Sequence, residues 1–384
     1  MLDRSYFIYE DKFRFLPDGS KFYDVVKYRD LYHKPYFKSH RWVAKYNKPV
    51  TYSNDQRLSL IKNLLPEEYH DLFLKGRLYD IFRDKKYIPK YYNFNITDEN
   101  FIEGLLDYLE QQDGSPGPHR GSDTLMFLKK TSHLTYGGYD VMPFHNRGER
   151  SLEEILEFIE ANNKHPKYRS DEFTIQQGIE RILLTPENKK FDLRTYGLVV
   201  WEVGDIEDVG DQSRDGSRDA GLTVPVFQFY YFQYMLMRKC TKEYDPDSDD
   251  PKKQLTNTTQ NRGEDLYGIT ELIDPSYEWY DSIYYQTMDV FKDVAGYIKG
   301  RSIGRDLPTK GYHLIGLDFL PDENYQVYLL EINKHPAIYY DPELVKALHH
   351  NMESKMMTES YFRTILERGH INDTPENFNK IIPS

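Results

Sequence analysis

Residues 311–320 and 325–332 are two apolar runs separated only by Pro321-Asp322-Glu323-Asn324, a strong turn signal. A chain carrying this pair places an antiparallel hairpin in its C-terminal half, which excludes a purely helical bundle and points to mixed α and β structure. The hairpin also carries polar residues at unusual places. If the turn pairs Leu320 with Tyr325, then Asp318 pairs with Val327. Period-two alternation then puts Val327, Leu329, Glu331 and Asn333 on the face of Asp318. Two carboxylates and an amide point the same way. Mg2+ takes hard oxygen ligands, usually one or two carboxylates completed by phosphates, and this trio suits it. On spacing alone, the solvent face of an ordinary hairpin explains the same pattern and is favoured.

The rest of the chain is read more coarsely. Residues 57–74 suggest a helix interrupted at Pro66, and residues 111–118 a turn-rich loop or linker. A strand is expected over 124–130, followed by a loop through Gly137 and Gly138. Residues 151–161 suggest a helix capped by Ser151, with Glu153 and Glu154 in its first turn. Residues 193–203 are β-rich, and 224–237 suggest one or two more strands. A long helix is expected over 277–299, and a last one from Pro342 toward Glu367. Residues 204–221 and 244–251 are acidic, polar tracts expected to be mobile surface loops; the first lacks the spacing and terminal Glu of a calcium-binding EF-hand.

In Lys190-Phe191-Asp192-Leu193-Arg194, alternation puts the three charged residues on one face and the two apolar residues on the other. That pattern suits a strand with one wall in a site and one in a core. Ser132, His133 and Cys240 show no legible triad context for nucleophilic catalysis.

Composition narrows the partners. The 384 residues include one cysteine, Cys240, which rules out a disulfide framework within the chain and fits a reducing compartment. Fifty Lys and Arg stand against 62 Asp and Glu, a net charge of −12, which argues against nucleic-acid binding through bulk positive charge. The charge is uneven: residues 1–94 carry +7 and the remainder −19. Ordinary solvated surface explains this, but a basic N-terminal quarter is also suited to an acidic partner. No apolar signal core or ~20-residue apolar window is present. The expectation is a soluble, cytoplasmic monomer with no membrane or nucleic-acid partner.

Six motifs stand in order: Phe127-Leu128-Lys129 with Gly137-Gly138; Gln176-Gln177-Gly178-Ile179-Glu180; Lys190-Phe191-Asp192-Leu193-Arg194; Arg238; Leu255-Thr256-Asn257; and Asp318 with Leu329-Leu330-Glu331-Ile332-Asn333 and Pro336. Together, over residues 124–347, they resemble the tubulin–tyrosine ligase-like family within the ATP-grasp ligases. The chain departs from that pattern at Lys130, where Pro is usual, at Gln254, where His is usual, and at Gly178, where an aromatic is common.

The resemblance implies an α/β (α+β) ATP-grasp fold, with two α/β subdomains clasping ATP behind a smaller N-terminal α/β domain. The expected divisions are 1–95, 96–180 and 181–384. It implies an ATP- and Mg2+-dependent ligase that joins Tyr, Glu or Gly to a carboxylate of an acidic protein tail, such as that of tubulin, through an acyl phosphate. The alternatives are a ligase for small peptides or metabolites, or an inactive scaffold. In the family's scheme, Asp318, Glu331 and Asn333 hold the metal. Lys129, Gln176, Gln177, Ile179, Lys190, Asp192 and Asn257 surround the nucleotide. Arg194 serves the transferring phosphoryl group, and Arg238 the carboxylate of the incoming amino acid. Lys129 and Lys130 face opposite sides of one strand, and the choice between them is open.

Overall fold

The computed structural model describes residues 13–15, 21–23, 67–113, 124–131, 141–164, 169–204, 224–256, 270–273, 275–302, 310–334, 336 and 378–383. Asn257, Gly137, Gly138, Ser132, His133, most of residues 1–66, the tract 205–221 and the expected helix after Pro342 lie outside the described residues. A short antiparallel pair, β1 (Phe13–Phe15) with β2 (Lys21–Tyr23), is described near the N-terminus.

The architecture is mixed α and β built on antiparallel sheets, consistent with an ATP-grasp-like fold, as the resemblance implies. The smaller sheet has four strands in the order β3-β6-β4-β5: Tyr91–Asn95, Glu172–Gln177, Leu125–Lys130 and Val141–His145. Phe94, Met126, Leu128, Phe144, Phe173 and Ile175 bury one face of it against α2 (Phe101–Asp113) and α3 (Glu149–Asn163). The helix α2 runs through Gln111 and Gln112, so the expected loop starts later than its turn residues suggest. Ser151 is not the cap of α3. The helix starts at Glu149 behind Gly148, which has φ +60°, and the Ser151 hydroxyl accepts from Arg147 N–H (2.7 Å) and donates to the His145 carbonyl (2.9 Å).

The larger sheet is organised on β7 (Phe191–Gly204). Along one edge, β7 pairs with β11 (Lys310–Pro321), which continues to β12 (Val327–Asn333). Its other edge is shared, β9 (Leu236–Lys239) taking residues 191–194 and β8 (Val224–Phe232) taking 197–204. The strands β10 (Thr270–Leu272) and β13 (Phe378–Ile381) extend from β9 and β8. The long helix α5 (Tyr280–Arg301) packs its Ile283, Val290, Phe291, Val294 and Ile298 face on this sheet, forming the main core with Phe191, Leu193, Leu317, Phe319, Val327 and Leu329. Gly197 makes the close approach possible: a Cβ there would collide with the Phe291 ring. Residues 67–73 form a 3-10 turn, and α1 (Lys75–Ile81) crosses between the two sheets. No described helix is long and apolar enough to cross a membrane.

The hairpin differs from expectation in register. The turn is not closed at residues 321–324. The Asp322 carbonyl accepts from Tyr325 N–H, and its carboxylate accepts from the backbone N–H groups of Asn324 and Gln326. This widens the turn and makes Leu320 pair with Tyr328 instead of Tyr325. A bulge then leaves Leu330 without a cross-strand partner, and Asp318 lies opposite Glu331, not Val327. Val327 and Leu329 therefore face the core with Phe319, away from Asp318, while Glu331 and Asn333 join Asp318 on the other face. The expected trio does share a face, for a reason that alternation alone does not contain.

Candidate active site

A cleft lies between the two sheets. Lys129 and Gln176 of the small sheet line it from one side, and Lys190, Asp192, Arg238, Asp318 and Glu331 from the other. Alternation along β7 works as expected: Phe191 and Leu193 enter the core, whereas Lys190, Asp192 and Arg194 turn to the site face. All three are nonetheless buried, Asp192 paired with Arg238, Arg194 with Asp318, and Lys190 lying over the Phe127 ring.

The centre is a buried chain of alternating charge. Arg194 grips Asp318 with two guanidinium nitrogens, one of them 2.8 Å from Oδ2. Arg238 places two donors on Asp192, each at 2.6 Å, and reaches Asp318 Oδ2 at 2.9 Å. The Thr256 hydroxyl donates to Asp192. Such planar two-point contacts are the geometry a guanidinium forms with a carboxylate. Burial alone would push the Asp318 carboxyl up, but the Arg194 and Arg238 charges and the Arg194 hydrogen bonds outweigh it and hold the group below the usual carboxylate range. Asn333 Nδ2 donates to Asp318 Oδ2 (3.1 Å) and to Glu331 Oε1 (3.0 Å), tying the expected trio together.

The cationic wall has its own supports. Lys129 Nζ donates to Gln176 Oε1 and to the Tyr79 hydroxyl, the latter at 3.0 Å. Lys190 Nζ sits 4.5 Å above the Phe127 ring. Burial pulls the Lys190 pKa down to about 8, with the neighbouring Asp192 carboxylate opposing the shift. Cys240 is buried and pushed up to about 12, so it is a packing residue and not a reactive thiolate. Lys130, also buried, projects to the opposite side of β4 from Lys129 and does not line the cleft.

Two residues of α1 belong to this site and were not singled out from sequence. Lys75 Nζ lies 3.5 Å from Glu331 Oε2. The Tyr79 hydroxyl lies 2.8 Å from Gln176 Oε1 and 2.9 Å from the carbonyl of Leu330, the bulge residue. Burial, then the Glu331 charge, raises the Tyr79 pKa well above its ordinary value, so the phenol stays protonated. The i,i+4 spacing of Lys75 and Tyr79 marks one helix face, but nothing local says which sheet that face meets. Gly76 lets the helix approach, since a Cβ there would lie 2.6 Å from Thr174 Oγ1. Of the remaining expected residues, Arg194, Asn333, Gln177 and Ile179 do not line the cleft in this structure.

The donor set can be tested against Mg2+ and a nucleotide. Among the described residues, no group of three or more His, Cys, Asp or Glu is placed to hold a metal. Asp318 and Glu331 offer two carboxylates, with the Asn333 amide between them, which is the protein share Mg2+ takes when phosphates complete its shell. Four cations, Lys75, Lys129, Lys190 and Arg238, meet three carboxylates in the cleft lining, and apolar Phe127, Val141, Leu255, Leu320 and Leu330 complete its walls. Residues of these kinds fit a metal-bound polyphosphate with a planar base.

Comparison with known proteins agrees with the motifs. Residues 222–367 match the model of the tubulin-tyrosine ligase family. The protein polyglycylase TTLL10 of Mus musculus is 27% identical over 209 residues, covering 48% of this chain and 26% of that protein. Tubulin glycylase 3B of Tetrahymena thermophila is 24% identical over 211 residues, covering 52% of this chain and 15% of that protein. The chain thus spans about a quarter or less of the length of these relatives. Over residues 222–367, which carry Arg238, Asp318, Glu331 and Asn333, the chain is similar to the tubulin-tyrosine ligase family, as its motifs imply.

Proposed function

We propose that this protein is an ATP- and Mg2+-dependent amino-acid ligase acting on a carboxylate of an acidic protein tail. The observation that carries the reading is the cleft itself, where Lys129 of the small sheet faces Lys190, Arg238, Asp318 and Glu331 of the large one, with the Asn333 amide bridging the two carboxylates. ATP with Mg2+ supplies the phosphoryl group that activates the carboxylate. The chain's share of the work is electrostatic and positional, because several anions must be held in line. Lys129 and Lys190 neutralise phosphates, and Gln176 borders the base. Asp318, Glu331 and Asn333 are the residues that would hold Mg2+. Arg194 stabilises the transferring phosphoryl group and Arg238 the carboxylate of the incoming amino acid, both pre-oriented by Asp318 and Asp192. Asn257, outside the described residues, completes the nucleotide side. The basic residues of 1–95 recruit the acidic tail.

The two named relatives are glycylases, which makes glycine the first donor to test, ahead of tyrosine and glutamate. Incubation with ATP, Mg2+, tubulin and each amino acid, read by intact mass, should add one or more residues of a single donor. Glu331→Gln should abolish the addition. Mass gain that survives Glu331→Gln rejects the metal assignment, and no gain with any donor rejects the tubulin-directed reading.

A further inference from the structure

Asp318 is 1% exposed, and Arg194 covers it. The guanidinium takes Oδ1 with Nε and Oδ2 with a terminal nitrogen at 2.8 Å. Arg238 and Asn333 add two more donors to Oδ2, at 2.9 Å and 3.1 Å. An ionised carboxylate has about four acceptor positions, and these four donors claim them. Glu331, in contrast, is one-quarter exposed and open to the cleft. One carboxylate of the pair is free to meet a cation, and the other is occupied.

The two arginines differ in what else holds them. Arg238 has a carboxylate of its own, Asp192, which the Thr256 hydroxyl supports from the far side. Thr256 follows α4 (Pro251–Gln254). Ion pairs of Lys253 with Asp245 (2.8 Å) and Lys242 with Asp250 (2.7 Å) fix the approach to that helix, contrary to the mobile loop expected from its acidic sequence. Arg194 has no second anchor of this kind: among the described residues, Asp318 is the carboxylate it meets. Its side chain runs past the bare backbone of Gly316, where an added Cβ would lie 3.3 Å from Arg194 Cδ. Nor does Arg194 line the cleft, where a transferring phosphoryl group would be. Two groups that the reaction needs are thus engaged with each other while the cleft is empty. Parting them leaves a buried guanidinium unpaired, which is costly unless an anion takes the place of Asp318.

We propose that Arg194 guards Asp318: it withholds the carboxylate from a lone divalent cation, and yields it by turning into the cleft when phosphate and cation arrive together. The inference rests on the metal reading proposed above. The test is Mn2+ binding to the full chain without nucleotide, read by electron paramagnetic resonance and by melting temperature. Arg194→Met should bind Mn2+ at least about tenfold more tightly than wild type, and its melting temperature should rise further on Mn2+ addition. Arg194→Lys keeps the charge but offers one point of contact in place of two, so it should fall between them, and it carries the test if Arg194→Met does not fold. Lys75→Met removes an equal charge from beside Glu331 and leaves Asp318 covered, so it should tighten Mn2+ far less. Glu331→Gln should abolish the gain. A gain in Lys75→Met equal to that in Arg194→Met reduces the effect to net charge and overturns the proposal. So does the absence of a gain in both Arg194 variants, or a gain that survives Glu331→Gln. Binding of Mn2+ with ATP that is lost in Glu331→Gln would then leave the metal reading standing. Failure of wild type to bind Mn2+ with ATP removes the metal reading and this proposal with it.

Discussion

The Tyr79 hydroxyl lies 2.9 Å from the carbonyl of Leu330, the residue that bulges out of the β11–β12 ladder. The same hydroxyl accepts from Lys129 Nζ. One phenol thus joins the lysine of the small sheet to the hairpin of the large one. The bulge puts Glu331 opposite Asp318, and Tyr79 gives the displaced strand a partner.

Tyr79→Phe keeps the ring and removes this link. It should cost about 1–2 kcal/mol in urea unfolding, the value of one or two buried hydrogen bonds. It should also weaken ATP binding severalfold, because Lys129 loses a fixed neighbour. Unchanged binding with lowered stability would confine Tyr79 to a structural role.

Asp318 and Glu331 should separate in a thermal melt. Asp318→Ala leaves Arg194 and Arg238 buried with a carboxylate missing between them, a loss of about 3–5 kcal/mol. Glu331 is one-quarter exposed and answered by Lys75, so Glu331→Gln should keep the melting temperature within a few degrees while ligation is lost. A Glu331→Gln protein as unstable as Asp318→Ala would contradict this division.

The depressed pKa of Lys190, about 8, gives nucleotide binding a pH dependence with a definite sign. The ammonium is present below about 8 and lost above it, so ATP affinity should be flat at lower pH and then fall, by up to about tenfold per unit. Lys190→Arg should stay flat through pH 9, because a guanidinium does not titrate there. A wild-type profile parallel to that of Lys190→Arg would remove Lys190 from the phosphate contacts.

Gly197→Ala should destabilise the core by about 1–3 kcal/mol, since the new methyl runs into the Phe291 ring of α5. Phe291→Leu in the same chain should recover part of that loss, and the two effects should fail to add.

Much of this was legible locally. The alternation of Lys190, Asp192 and Arg194 against Phe191 and Leu193 needs only a strand, and the strand formed. The long helix at 280–301 and the hairpin were visible as apolar periodicity. What escaped depends on contacts distant in sequence. The bulge at Leu330 breaks the period-two rule, and what holds it is Tyr79, 251 residues away. Lys75 is an ordinary surface-type residue until α1 brings it to the cleft. The widened turn follows from the Asp322 carboxylate accepting two backbone N–H groups, chemistry that a tetrapeptide pattern does not specify.

The central claim is that this cleft activates a carboxylate by phosphorylation before an amine displaces the phosphate. An acidic acceptor labelled with 18O in its carboxylates reports it directly, read by mass spectrometry of the inorganic phosphate released during ligation. The acceptor oxygen that attacks phosphorus leaves with the phosphate, so one 18O should appear in phosphate for each amide bond formed. Unlabelled phosphate, or release of pyrophosphate and AMP instead, would contradict the account.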